Sequence, residues 1–272
     1  MKEELFYINI KDRKLFVHCH IPANCNNQTA YLFLNPVFDE KKRVQRFQAE
    51  TARGLCSKGC LVARFDYFGT GDSYGELYNF SFDTCLTDIS SVTEYIQNEY
   101  NVKSINVLGI RIGGSLALMK LNKNDLVKNI FLIEPIVDGK RFLIEQRTRR
   151  KAFYKLNNII IDNQFIEVNS KLFEDHQGYL ISEDMISFIE NININNINLF
   201  EKRIFIFKLN TLFSGKTISL LKNKLESNNY IKEYNVDCKD FWASLESIDT
   251  SALTNSIVEC HNNEITEVNV RF

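Results

Sequence analysis

Two short strand-like runs near the start of the chain, residues 4–10 and 14–20, are rich in apolar and aromatic side chains with polar residues at their ends. They flank Lys11-Asp12-Arg13 and predict a β-hairpin. The pattern then changes repeatedly. Residues 31–34 form a short apolar strand stopped by Asn35-Pro36, and residues 43–57 carry Phe47, Thr51 and Leu55 at helical spacing. Gly59 separates this helix from a strand over residues 60–65. A helix over residues 83–100, a strand over 105–108 and another over 130–133 follow, the last stopped by Glu134-Pro135. Strands alternating with helices of this length predict an α/β fold: a mostly parallel sheet covered by helices on both faces.

The alternation lapses between residues 139 and 200. Residues 141–154 read as an arginine-rich helix, residues 157–169 are polar and asparagine-rich, and Ser182 caps a short helix ending near Glu190. The pattern resumes with a strand over residues 203–207, a helix over 214–227, a strand over 230–236 and a last helix from Ser251. This organisation predicts a core of residues 1–138 and 201–272, with residues 139–200 inserted as a cap above the strand ends.

Composition narrows the function. The 272 residues carry a formal charge of −1, so nothing electrostatic points to nucleic acid or an anionic membrane. No apolar run reaches the length of a membrane span, and the first residues lack the apolar core of a signal peptide; a cytoplasmic protein is expected. The seven cysteines are odd in number and scattered, which favours reduced, buried thiols over a disulfide framework. His18 and His20 share one face of a strand, but zinc needs three or four converging ligands, so neither metal nor cofactor is expected. Gly215-Lys216-Thr217 resembles the end of a phosphate-binding loop, yet Asn210 stands where that loop needs glycine. Arg141, Arg147, Arg149, Arg150 and Lys151 read as a solvated helix face, with one or two turned inward under the cap.

Two glycine-rich stretches carry the chemistry. Gly109-Ile-Arg-Ile-Gly-Gly114 sits between the apolar runs 105–108 and 115–119, the strand–turn–helix setting of a nucleophile elbow, with Arg111 at its centre. Asp66-Tyr-Phe-Gly-Thr-Gly-Asp-Ser73 follows the strand at 60–65. Together these resemble α/β-hydrolases of the serine aminopeptidase and lysophospholipase groups. More narrowly, residues 35–40, 109–113, 134–143, 178–182 and 240–242 resemble the hydrolase-like proteins associated with exosortase systems, which carry arginine at the elbow. The likeness runs from about residue 30 to about residue 258, with departures at Val37, Glu134 and Asp240, and implies the α/β-hydrolase fold.

On this resemblance the nucleophile position holds Arg111, and the other triad roles are unfilled. The last strand is followed by residues 237–242 without histidine, and residues 208–211 offer no carboxylate. His261 is expected at the surface, His176 in the cap, and Ser115 directed into packing. A nucleophile needs a base within reach, so ordinary serine hydrolysis is not expected. The candidate pocket comprises Val37, Phe38, Glu40, Arg111, Ile112, Glu134 and Trp242. Arg111 is expected to pair with Glu134 first, or with Asp240 or Glu40, because a buried unpaired charge is costly. Three functions remain open: binding a small acyl or peptidic, anionic ligand with non-serine acid–base chemistry by Glu134, Asp240 or Glu40; an inactive pseudo-hydrolase serving as a binding partner for a protein or a second copy; and a hydrolase with another nucleophile, Cys238 being nearest the strand ends.

Overall fold

The strand β10 (Arg203–Leu209) shows how the sequence builds this fold. Ile204 and Ile206 point into one buried layer and Phe205 and Phe207 into the other, so an unbroken apolar run fills both faces. The same holds for β3 (Thr29–Leu34), β5 (Ser104–Ile110) and β6 (Val127–Ile133). In the computed structural model, which describes residues 1–23, 29–121, 124–159, 165–176, 178–197, 199, 201–211, 214–244 and 246–266, these strands belong to an eight-stranded sheet. The hairpin β1 (Lys2–Ile10) and β2 (Arg13–Ile21) forms one edge, and β2 pairs antiparallel with β4 (Leu61–Phe65). The remaining pairings are parallel, in the order β4, β3, β5, β6, β10 and β11 (Tyr230–Val236).

Helices α1 (Phe38–Ser57) and α7 (Ser251–Cys260) bury Phe47, Leu55, Leu253 and Ile257 on one face. Helices α2 (Phe82–Tyr100), α3 (Ile112–Lys120) and α6 (Ser214–Leu225) bury Ile89, Leu116 and Leu221 on the other. Between β6 and β10 the chain leaves the main sheet. It forms α4 (Gly139–Leu156), a separate antiparallel sheet of β7 (Phe165–Val168), β8 (Lys171–His176) and β9 (Tyr179–Ser182), and α5 (Glu183–Glu190). Gly139 sets the docking of this segment: a Cβ there would meet the Ile189 carbonyl oxygen at 1.6 Å.

Three differences from the sequence reading have physical causes. Helix α1 begins at Phe38 rather than near residue 43: Asp39 and Glu40 put acidic side chains in its first turn, which suits a helix N-terminus, and Glu40 and Val44 already lie on its buried face. The strands β7 and β8 escaped notice because three of the four β7 side chains are exposed, leaving no apolar alternation; residues 160–164 lie outside the described residues. His261 is not a surface residue. It continues the buried face of α7, its Nδ1 lies 2.9 Å from the Tyr31 hydroxyl, and its Nε2 lies 3.2 Å from Cys60 Sγ. Six cysteines are free and buried, while Cys25 lies outside the described residues.

Candidate functional site

The carboxyl ends of β3, β5 and β6 lie side by side, so the turns leaving them meet above the centre of the sheet. The turn after β5 is tight. Arg111 has φ 52° and ψ −121°, a strained conformation for a side chain with a Cβ, between the strand and α3. Glycine is required beside it: a Cβ on Gly113 would stand 2.2 Å from the Leu34 carbonyl oxygen, and one on Gly109 would stand 2.5 Å from Gly114 Cα. This is the nucleophile-elbow geometry expected of the sequence. As the first residues of α3, Ile112 and Gly113 have no acceptor for their N–H groups within their own helix.

Arg111 does not pair with Glu134, the expected first partner. Its Nε donates to Glu40 Oε2 at 3.3 Å and its Nη2 to Glu40 Oε1 at 3.3 Å, with Glu145 Oε1 3.4 Å from Nη2. Glu40, named as a later choice, is wholly buried at the start of α1. From α4, Arg149 Nη2 donates to Glu40 at 3.2 Å and to Glu145 at 2.5 Å, and Gln146 Nε2 donates to Glu40 at 3.1 Å. Two guanidiniums and two carboxylates thus form a charge-balanced cluster. Burial acting alone would raise the Glu145 carboxyl; the Arg111 and Arg149 charges bring it below its ordinary range. The Arg111 guanidinium also lies over the Trp242 ring at 5.1 Å and the Phe142 ring at 5.7 Å, completing its enclosure.

Glu134 turns elsewhere because its own φ is 43° and its Oε1 accepts the Leu209 N–H at 3.0 Å. Arg111 and Glu134 still share a cleft of about 510 Å³, with Pro135, Arg141, Lys216, Asp240 and Trp242 among its walls. The candidate pocket residues are otherwise divided. Val37 and Phe38 line a separate apolar cavity of about 300 Å³ with Tyr67, Phe80 and Tyr179. Ile112 is fully buried and serves the core, and Glu40 serves the charge cluster rather than an open wall. The helix face carrying Arg147, Arg149 and Arg150 is not simply solvated. Arg147 and Arg150 pair with Glu174 at 2.9 and 3.1 Å, and only Arg141 of that group lines the cleft.

Neither Ser115 nor Cys238 is among the walls of the cleft that Arg111 lines. Ser115 is buried and its hydroxyl donates to the Ile136 carbonyl at 2.5 Å, as packing required. None of the four histidines lines the cleft; His176 is buried against Glu174 at 3.0 Å. Cys238 is buried, its Sγ donates to the Lys239 carbonyl at 3.4 Å, and burial pushes the thiol up to about 11, so it carries no thiolate at neutral pH. At the hairpin, Glu3 joins His18 and His20, a third potential ligand that spacing along the chain did not reveal. There Arg64 Nη2 donates to His18 Nδ1 at 2.7 Å and its Nε to His20 Nε2 at 3.3 Å.

The strand order, the elbow and the inserted helices define an α/β-hydrolase fold. A family model described as serine aminopeptidase, S33, matches residues 41–178. The chain belongs to that family. Est1E from Butyrivibrio proteoclasticus, solved with ferulic acid bound, is similar with a TM-score of 0.66 and 15% identity over 96% of this chain and 99% of that one. A proline iminopeptidase-related protein from Thermus thermophilus gives 0.63 and 14% over 96% and 98%. An esterase from Pyrococcus furiosus gives 0.64 and 13% over 96% and 92%. No curated protein matches the sequence. Among the described residues, no helix is long and apolar enough to cross a membrane.

Proposed function

We propose that this chain is a non-hydrolytic member of its family that holds a small acyl or peptidic ligand in the cleft beside Arg111, under residues 139–200 acting as a cap. One observation carries the reading: the residue at the elbow is an arginine whose charge is already matched by Glu40 and Glu145. A guanidinium in that state is neither a nucleophile nor a free anion receptor. In this reading Arg111 stands where relatives have their serine, and it ties the cap helix α4 to the core through the shared carboxylates.

The ligand class follows from the remaining wall groups. Arg141 and Lys216 bring positive charge to the walls and Glu134 and Asp240 negative charge, so the cleft is mixed rather than cationic. A short peptide or acyl-peptide, with a carboxylate at one end and N–H donors along its length, matches that lining better than a simple anion. A second reading, acid–base chemistry by Glu134, is favoured by its positive φ of 43° on the cleft wall.

Trp242 is the single tryptophan and lines the cleft, so its fluorescence reports occupancy. Titration with acetylated di- and tripeptides should give a saturable change, and mass spectrometry should recover each peptide intact. No change with any such peptide, or their cleavage, sinks the binding-protein reading. Rearranged but unhydrolysed peptide, lost in Glu134→Gln, supports the second.

A further inference from the structure

The Arg111 guanidinium is not used evenly. Its Nε and Nη2 meet Glu40 side-on, both within 3.4 Å of that carboxylate. Nη2 also reaches Glu145, at 3.4 Å to each oxygen. Nη1 is different. Among the described residues no acceptor meets it, and it keeps accessible surface, whereas Nη1 of Arg149 is sealed inside the charge cluster. Arg111 lines the cleft of about 510 Å³, so its open end belongs to that space. A guanidinium carries five N–H donors in a planar fork, and the end-on pair, Nη1 with Nη2, is the half left incompletely satisfied here.

The two carboxylates around Arg111 are unlike. Glu40 has no exposure and is held from three sides by Arg111, Gln146 and Arg149, which makes it the fixed counter-charge. Glu145 stands on the cleft wall with its side chain 42% exposed. An ion pair this open to water contributes little, because solvent screens it and holding the side chains in place costs entropy. Helix α4 stays tied to the core without it, through the bonds of Gln146 and Arg149 to Glu40. Glu145 can therefore swing into solvent while the fold around it remains. The spot it occupies nonetheless favours an anion: burial acts to raise its carboxyl, and the Arg111 and Arg149 charges hold it below the ordinary range.

We infer that Glu145 sits in the seat of the ligand's own carboxylate, and that a ligand carboxylate displaces it to bind Arg111 end-on through Nη1 and Nη2. The planar fork matches two carboxylate oxygens at once, which a point charge would not. The inference rests on the cleft binding proposed above and fixes which end of the ligand lies where. The carboxylate end lies against Arg111, leaving the N–H groups to the walls that carry Glu134 and Asp240. While Glu145 is seated, Arg111 is no free anion receptor; once Glu145 leaves, it becomes one. Glu145 thereby selects ligands that carry a carboxylate, since a neutral end offers no charge to replace its own.

The test follows Trp242 fluorescence, because the Arg111 guanidinium lies over that ring at 5.1 Å. The parent, Glu145→Gln and Glu145→Ala are titrated at fixed, low chloride with butyrate and butyramide, then with acetyl-alanyl-alanine as free acid and as amide. Removing the internal competitor should tighten both acids about tenfold and shift both amides by less than about twofold. If Glu145→Ala fails to fold, Glu145→Gln decides. Tightened butyrate without binding of either peptide supports the carboxylate seat and sinks the peptide reading. Peptide binding in which the acids gain nothing in the variants, or the amides gain as much, overturns the inference and leaves the peptide reading standing. Failure of butyrate to bind either folded variant more tightly than the parent also overturns it.

Discussion

Replacing Glu40 by glutamine tests the charge cluster that closes the elbow. The change keeps the side chain's size, so it leaves no cavity and removes one negative charge from a position with no exposure. Arg111 and Arg149 would then share Glu145 alone, a side chain 42% exposed, while the Arg111 side chain is 9% exposed. Breaking a buried ion pair by removing one partner costs about 3–5 kcal/mol, because the other charge stays buried. Retention of Glu145 and of the Gln146 amide places this case near the lower end, at about 3 kcal/mol. For a chain of this length that corresponds to a fall in Tm of about 6 °C. Thermal and urea unfolding of Glu40→Gln, Arg111→Met and the double variant give a double-mutant cycle. The double variant should be less destabilised than the sum of the singles by at least about 1 kcal/mol. Additive effects, or a Glu40→Gln variant as stable as the parent, would refute the reasoning.

Other outcomes follow from the same structure. His20 and His261 are held by burial at about 4, against an ordinary 6.5, so the unfolded chain binds more protons between these values. Stability should therefore be full above pH 6.5 and fall as pH drops toward 4, by up to about 3 kcal/mol for each group; His261→Gln should flatten the urea-midpoint profile over that window. Gly113→Ala should lower stability by about 3 kcal/mol or prevent folding, since the added carbon meets a backbone oxygen that has no room to move; a soluble variant of parental Tm would contradict the close approach. Cys60 and Cys85, with thiols raised by burial, should resist iodoacetamide in the native protein and react only on unfolding, as peptide mapping can show.

What could be read from the sequence was what local sterics and two-sided burial impose. The elbow was legible because an apolar strand, closely spaced glycines and a small-residue helix start admit few other arrangements, and β10 because its apolar run fits a doubly covered sheet. The partner of Arg111 was not legible. Adjacent strand ends suggested Glu134, but the left-handed backbone at that residue sends its carboxylate toward Leu209. Glu145 was missed although a signal existed: Phe142, Glu145, Gln146 and Arg149 fall on one face of α4 at helical spacing, which marks a polar face turned inward. His261 was misplaced for a related reason, since Leu253, Ile257 and Cys260 already traced the buried face that it extends.

The claim that the elbow does not hydrolyse is most directly tested by trapping. Intact-mass spectrometry should be run after exposure to a fluorophosphonate probe and, separately, to p-nitrophenyl acetate, for the parent and for Arg111→Ser. The account predicts no stoichiometric adduct and no burst in either protein, because no histidine reaches the cleft to activate a hydroxyl. A weak, non-bursting esterase background of the kind oriented amides supply is compatible with it. A stoichiometric acyl- or phosphonyl-adduct on the parent chain, mapped to any side chain of the cleft, would contradict it.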